Sequence, residues 1–534
     1  MATRTTILAA LLAGALLAGG PVHARTLVFC SEGAPETLDP ALATTTTTMN
    51  ATWQVFNNLV EFTPGTTTVR PALAESWTIS QDGRTYDFTL RENVRFHANA
   101  RFEPSRPLEA EDVVFSFTRQ WKPDYPFRED ARFTYFHDLG LADALEGVDR
   151  LDARHVRFRL KEADTTFLAN LAQAFAGIHS AEYAQALAAA GATGEFATAP
   201  VGTGPFALVE QQPGLTLRYR SFPDYWRRLD QPGAAIDNLV FAITPNAAVR
   251  LTKLRAGECQ VMAFPAIANL DAIGTDRTLS LLSEPELNIA YLALNTTRPP
   301  LDDARVRRAV NMAIDKRVLV QAIYGAAGTV ARGPLPPGLW SYDETAPDAP
   351  FDRAEAVRLL AEAGLPDGFE TDLWYLPVSR PYNPNGLRMA SMIQADLARI
   401  GVRVRLVTRE WGAYRTALYD GVPSLMLYGW TSDNGDPDNF LNVLLGCKAA
   451  QLGGANLARW CDGAYDGLVQ EARRLPDRDA RAALYRRAQA IFSGALPWVP
   501  LAHSVVHMAT RREVIGFRMD PLGRHLFEGV GLRE

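Results

Sequence analysis

Beyond its first two dozen residues the chain has no apolar run approaching the roughly 20 residues that a membrane-spanning helix needs, so nothing later in it calls for a bilayer. Histidine is scarce. Its eight residues are scattered singly, and no two of the four cysteines stand in C-x-x-C spacing, which leaves a zinc site without support. Long runs of one charge are missing as well. With a formal charge of −6 and no concentrated basic stretch, the chain offers phosphate backbones no surface to bind, which excludes nucleic acid as a partner. Catalytic signatures are also missing: there is no G-x-S-x-G elbow, no H-E-x-x-H, no G-x-x-x-x-G-K-S/T and no G-x-G-x-x-G after a strand. Gly202-Thr203-Gly204-Pro205-Phe206 lacks the lysine and the following helix of a phosphate loop, and reads as a turn into a strand. No pair among the 60 acidic residues is singled out for glycoside hydrolysis. No cofactor is expected.

What is present begins with a leader. Arg4, the apolar run Ile7–Ala18 broken only by Gly14, then Gly19-Gly20-Pro21 and the small-residue end Val22-His23-Ala24 read as a cleaved signal peptide over residues 1–24. Arg25 stands where a lipid anchor would need a cysteine. The expected mature protein is exported and soluble. Removing Arg4, the only charge in the leader, takes the net charge from −6 to −7. A hydrophobic content of 47% with 21% charged residues describes a globular core, and about 510 mature residues imply about two to four domains. Four cysteines in an exported chain favour disulfides. Cys447 and Cys461 are near enough to close one local loop, which by default leaves Cys30 with Cys259, although three pairings are formally possible.

Two periodicities alternate along the chain. Tyr86, Phe88 and Leu90 share one face of a strand-like segment over 85–90, and His155 to Lys161 and Leu215 to Arg220 alternate in the same way. Val306, Ala309, Val310, Ala313 and Ile314 recur at helical spacing after Asp302-Asp303, which supplies an N-cap. Asp352 followed by Glu355 resembles a capping box, with Gly364 and Pro366 ending that helix. An amphipathic helix over about 388–399 precedes the strand-like Val402 to Val407. Helix followed by strand predicts an α/β fold with mixed sheets.

Asp433-Asn434-Gly435-Asp436-Pro437-Asp438-Asn439 is dense in oxygen ligands of the kind calcium takes. It fails as an EF-hand, because the sixth and twelfth positions hold Asp438 and Leu444 in place of glycine and glutamate. By composition alone it reads as a turn-rich surface loop.

Several strings carry a resemblance that spans essentially the whole mature chain. Pro71-Ala72-Leu73-Ala74-Glu75-Ser76-Trp77, Ser80 to Tyr86, Phe96-His97, Glu111 to Phe117, Gly202 to Phe206 and Leu301 to Arg307 resemble, in this order, the peptide-binding class of bacterial extracellular solute-binding proteins, family 5. Within it, Thr26 to Gly33, Pro381-Tyr382-Asn383-Pro384-Asn385, Gly429-Trp430-Thr431 through Phe440 and the placement of all four cysteines are similar to the dipeptide-binding members that serve ABC importers. The resemblance implies a two-lobed α/β fold. It implies a first lobe over 25–286 with an extra subdomain at about 60–200, a second lobe over 287–502, and a return to the first over 503–534, with crossovers near Glu284 to Asn288 and Leu501 to Ser504. It supports the pairs Cys30–Cys259 and Cys447–Cys461. It also implies a periplasmic location, a monomer, and an inner-membrane ABC permease as partner.

The resemblance further implies that Arg380 meets the carboxylate of a bound dipeptide and Asp433 its ammonium. Trp411, Trp430 and Tyr382 flank these anchors, and Thr45 lies in the stretch Thr44 to Met49 where the family has a mixed polar segment with an aromatic. A dipeptide is a zwitterion, and burying its ends costs several kcal/mol per ion unless each is paired. Arginine presents a planar fork to a carboxylate, and aspartate accepts from an ammonium. Two extended residues span roughly 7 Å, so fixing both ends measures peptide length. Relatives in this class also take longer peptides, glutathione, haem or nickel complexes, which keeps those ligands open. The rival of a different class is an exported hydrolase, distinguished by product formation on prolonged incubation.

Overall fold

A computed structural model describes residues 24–125, 127, 133–227, 235–346 and 349–533. The leader over 1–24 lies outside the described residues, apart from Ala24.

Local signals became the expected elements with small shifts. Thr85–Leu90 and His155–Leu160 pair antiparallel, and both alternate between buried and half-exposed positions as period-two patterning requires. They are the middle strands of a four-stranded antiparallel sheet completed by Ala74–Ile79 and Leu145–Arg150. The third expected strand forms as Thr216–Ser221. Asp303 caps the helix Ala304–Ala313 by accepting from the Arg305 amide. Asp352 caps Arg353–Glu362 by accepting from the Glu355 amide, but the reciprocal half of the box does not close, because Arg358 takes the Glu355 carboxylate at 2.7 Å. The helix over 388–399 starts two residues earlier, as Gly386–Ala398, where Asn385 caps it, and Arg403–Val407 follows.

Twelve strands make one long sheet with two lobes built around its halves. In the first half Thr26–Ser31 lies parallel to Asn238–Ile243 and Val261–Ala263. In the second, Asn288–Leu294 is buried at every position, and such a continuous apolar run belongs at the centre of a sheet covered on both faces. It pairs antiparallel with Leu425–Thr431, while Glu370–Trp374 runs parallel to Arg403–Val407. Parallel and antiparallel pairings therefore mix, and the fold class is α/β with mixed sheets. The Tyr291 ring stacks on Trp498 with centroids 3.9 Å apart, fixing the core of the second half.

The halves are joined by the strand Trp498–Arg511. Its Val505 to Arg511 pairs with Leu279–Pro285, whereas its Trp498 to Ala502 pairs with Asn288–Leu294 and its Ser504 with Gly328. Where the pairing changes, Asn288 Nδ2 donates to Ser504 Oγ at 2.9 Å and the Ser504 amide donates to Asn288 Oδ1 at 3.0 Å, both buried. Away from this crossing the lobes meet again. The Arg473 guanidinium reaches Asp164 at 2.7 Å, the Thr165 amide donates to the Arg473 carbonyl, and Asn434 Nδ2 donates to Asn170 Oδ1 at 2.9 Å. The lobes are closed on each other. No helix among the described residues is long and apolar enough to cross a membrane.

Both disulfides form, Cys30–Cys259 and Cys447–Cys461. The second closes a loop of sequence separation 14, for which chain entropy gives about 3 kcal/mol. Replacing Cys447 and Cys461 by serine is expected to lower the unfolding free energy by about that amount in a urea titration. An unchanged midpoint would show that the bond contributes nothing to stability.

Candidate functional site

All six residues singled out from the sequence line one cleft between the lobes: Thr45, Arg380, Tyr382, Trp411, Trp430 and Asp433. The cleft encloses about 710 Å³ of empty space, the open solvent at its mouth included.

The wall that carries Arg380 is fixed by the backbone. Arg380 and Asn383 exchange amide-to-carbonyl bonds of 3.0 and 2.9 Å, Ser504 Oγ donates to the Pro381 carbonyl at 3.0 Å, and Tyr324 Oη donates to the Tyr382 carbonyl at 2.5 Å. The segment 380–383 is thus tied to the crossing strand itself. Tyr382 packs closely on the strand Leu425–Thr431 because position 429 is glycine; a Cβ there would stand 2.2 Å from its Cδ2. The Arg380 guanidinium sits 4.8 Å from the centroid of the Trp411 ring, and no carboxylate among the described residues pairs with it. Trp411 opens the helix Trp411–Tyr419, which Glu410 caps by accepting from the Gly412 and Ala413 amides, and its Nε1 is buried without a hydrogen-bond partner among the described residues.

Asp433 is held by neutral donors alone. Tyr135 Oη donates to its Oδ1 at 3.1 Å and Asn439 Nδ2 to its Oδ2 at 3.0 Å, while Asn439 Oδ1 accepts from the Asp433 amide at 3.0 Å and from Trp430 Nε1 at 2.9 Å. Burial pushes the Asp433 carboxyl up to about 7, with these hydrogen bonds pulling the other way. Glu286, on the same cleft, is also raised to about 7 by burial, although Asn288 and Thr431 both donate to it.

Thr45 has a local task. It is the N-cap of the helix Thr46–Thr52, its hydroxyl accepting from the Thr48 amide at 3.4 Å, so it borders the cleft as a capping residue. The acidic stretch differs from the surface loop that composition suggested. Ser432, Asn434, Asp438 and Asn439 are buried, and the carboxylates go to separate partners: Asp436 to Arg481 at 2.8 Å, Asp438 towards Arg473 at 3.6 Å, and Asp433 to the cleft. Gly435, at φ +68°, lets the turn press on Thr67, which a Cβ would meet at 2.3 Å.

Sequence reasoning missed Arg415, Tyr135, Tyr428, Glu286 and Glu32, all of which border the cleft. Arg415 had a signal: it stands four residues after Trp411 on the same helix, hence on the same face. Tyr135 had none, being 298 residues from the carboxylate it serves.

A two-lobed α/β sheet closed over a cleft with a fixed guanidinium on one wall and a buried carboxylate on another defines a solute-binding class of protein. The chain belongs to the bacterial extracellular solute-binding proteins, family 5, whose model matches residues 68–451. It is 46% identical over 528 residues to a dipeptide-binding protein of Pseudomonas aeruginosa, covering 98% of each chain, and 43% identical over 511 residues to heme-binding protein A of Haemophilus influenzae, covering 95% of this chain and 92% of that one. Among solved structures it resembles a dipeptide-binding protein from a Pseudoalteromonas species in complex with Met-Leu, with a TM-score of 0.89 and 36% identity over 95% of this chain and 100% of that one. These relatives are solute-binding proteins, not enzymes.

The raised Asp433 pKa has a definite sign. Below its ordinary value of 3.8 the carboxyl is protonated in folded and unfolded chains alike, and the stability it contributes is lost as pH rises through about 7. Buried histidines such as His97 and His503, lowered to about 4, act with the opposite slope, so the diagnostic quantity is a difference. Relative to wild type, Asp433→Asn is expected to gain stability progressively between about pH 4 and pH 7 and to hold that gain above it, read as melting temperature on protein refolded free of ligand. A constant offset across that window would mean that Asp433 titrates normally.

Proposed function

We propose that this chain is the periplasmic receptor that captures dipeptides between its lobes and hands them, as a monomer, to an inner-membrane ABC permease. One observation carries the reading. Arg380, which has no carboxylate partner among the described residues, and Asp433, whose partners among them are neutral, line the same cleft as opposite charges that are not paired with each other. A zwitterion with both ends free supplies each with its counter-ion. Arg380 takes the terminal carboxylate and Asp433 the ammonium; Trp411, Trp430 and Tyr382 pack on the peptide between them, and Thr45 shapes the rim.

The lobes divide, in this reading, at 25–286, 287–502 and 503–534, with an extra subdomain at about 60–200. The change of strand partners between Pro285 and Asn288 and between Ser504 and Val505 supports it. The likeness to receptors that are named for dipeptides or solved with one supports the ligand class.

The test is a calorimetric titration of protein unfolded and refolded to strip ligand. The dipeptide is expected to bind, and its N-acetylated form, the matching tripeptide and the free amino acid to bind far more weakly. Equal affinity for the acetylated form would remove Asp433 from its role, and tighter binding of the tripeptide would end the length gauge. Arg380→Ala is expected to weaken dipeptide binding by about 2–5 kcal/mol, the usual consequence of leaving a buried charge unpaired.

A further inference from the structure

A second guanidinium enters the cleft and has no part in the reading above. Arg415 lies one helical turn after Trp411 and borders both the main cleft and a smaller recess beyond it, walled by Tyr135, Leu139, Tyr419, Val443 and Asp433. Its Nη1 donates to Thr44 Oγ1 at 3.1 Å, and its guanidinium carbon stands 5.9 Å from the Trp411 centroid and 5.8 Å from that of Tyr419. Its Nε is buried with no hydrogen-bond partner among the described residues. No carboxylate among the described residues forms an ion pair with it. Glu36 acts on it as a nearby charge and through Thr44, whose hydroxyl donates onward to Glu36 Oε2 at 3.2 Å, and Asp138 faces the recess from beside Tyr419.

Arg380 and Arg415 thus approach one indole ring, in a site where burial weakens screening and like charges repel. A dipeptide of neutral side chains brings a single carboxylate, which the proposed function assigns to Arg380. Arg415 stays unmatched. We infer that Arg415 is a specificity-determining residue that selects dipeptides whose first residue carries a carboxylate side chain, aspartyl or glutamyl. The first residue is indicated because Arg415 shares the recess with Asp433, the ammonium anchor, whereas Arg380 and Tyr382 do not border it. A side-chain carboxylate there meets a planar, permanently charged fork.

The inference rests on the dipeptide reading, and one titration series separates the two. Ala-Ala, Glu-Ala, Ala-Glu and Lys-Ala are titrated into ligand-stripped protein at constant salt. Glu-Ala is expected to bind about 10- to 100-fold more tightly than Ala-Ala, the range of a hydrogen bond to a charged group, with Lys-Ala weakest. In Arg415→Leu the ratio of Glu-Ala to Ala-Ala affinity falls to about one, and in Arg415→Lys it stays above one. Equal affinities for Glu-Ala and Ala-Ala in wild-type protein, or a gain for Ala-Glu instead, overturn the assignment while leaving the dipeptide reading intact. Failure of every dipeptide to bind would sink that reading itself.

Discussion

Asn288 and Ser504 meet where the strand Trp498–Arg511 and the short link between Leu279–Pro285 and Asn288–Leu294 pass from one lobe to the other, and their paired side-chain and backbone bonds, buried from water, hold the crossing in one register. Unsatisfied amide and hydroxyl groups at that depth would each cost on the order of 1–3 kcal/mol, so the register is hard to shift. The binding cleft inherits that rigidity. Ser504 also holds the Pro381 carbonyl, one residue from Arg380, while Glu286, two residues before Asn288, accepts from Thr431, two residues before Asp433. One polar crossing therefore anchors both walls that carry the cleft's opposite charges.

The ion pairs between the lobes, among the described residues, have a consistent polarity. Asp143, Glu162 and Asp164 on the first side face Lys448, Arg474 and Arg473 on the second. Exposed pairs of this sort are worth little, about 0–1 kcal/mol, but the Arg473 pair is nearly enclosed and also faces Asp438. Closure thus combines weak, salt-sensitive surface pairs with one enclosed pair. An arrangement of that strength suits a receptor that must open again.

The cleft itself works by leaving charges uncompensated. Asp433 is ringed by Tyr135 and Asn439, which stabilise a carboxylate without neutralising it, and burial makes the bare ion unfavourable. Arg380 and Arg415 rest on aromatic faces instead of acids. Aromatic support keeps a guanidinium in place at small cost and leaves its edge free for a ligand. The same logic explains why Trp411 and Trp430 matter although neither carries charge: one backs the cation, and the other orients Asn439 behind the anion.

The sequence by itself determined the parts that depend on local periodicity and capping. The strands over 85–90 and 155–160, the helix after Asp303 and the helix capped by Asp352 all follow from alternation and from short side chains at their starts. Family strings added Arg380 and Asp433, and composition alone had filed Asp433 in a surface loop. Only the tertiary structure decided that this loop is buried and that its carboxylates part company, because Arg473, Arg481 and Tyr135 arrive from distant segments. It also decided the neighbours of the charges. Tyr135, Glu286 and Arg415 join the cleft through lobe closure and strand crossing, which are non-local contacts that no periodicity encodes. A lone arginine in a helix has the same local pattern whether it faces water or a second guanidinium, and only packing tells the two apart.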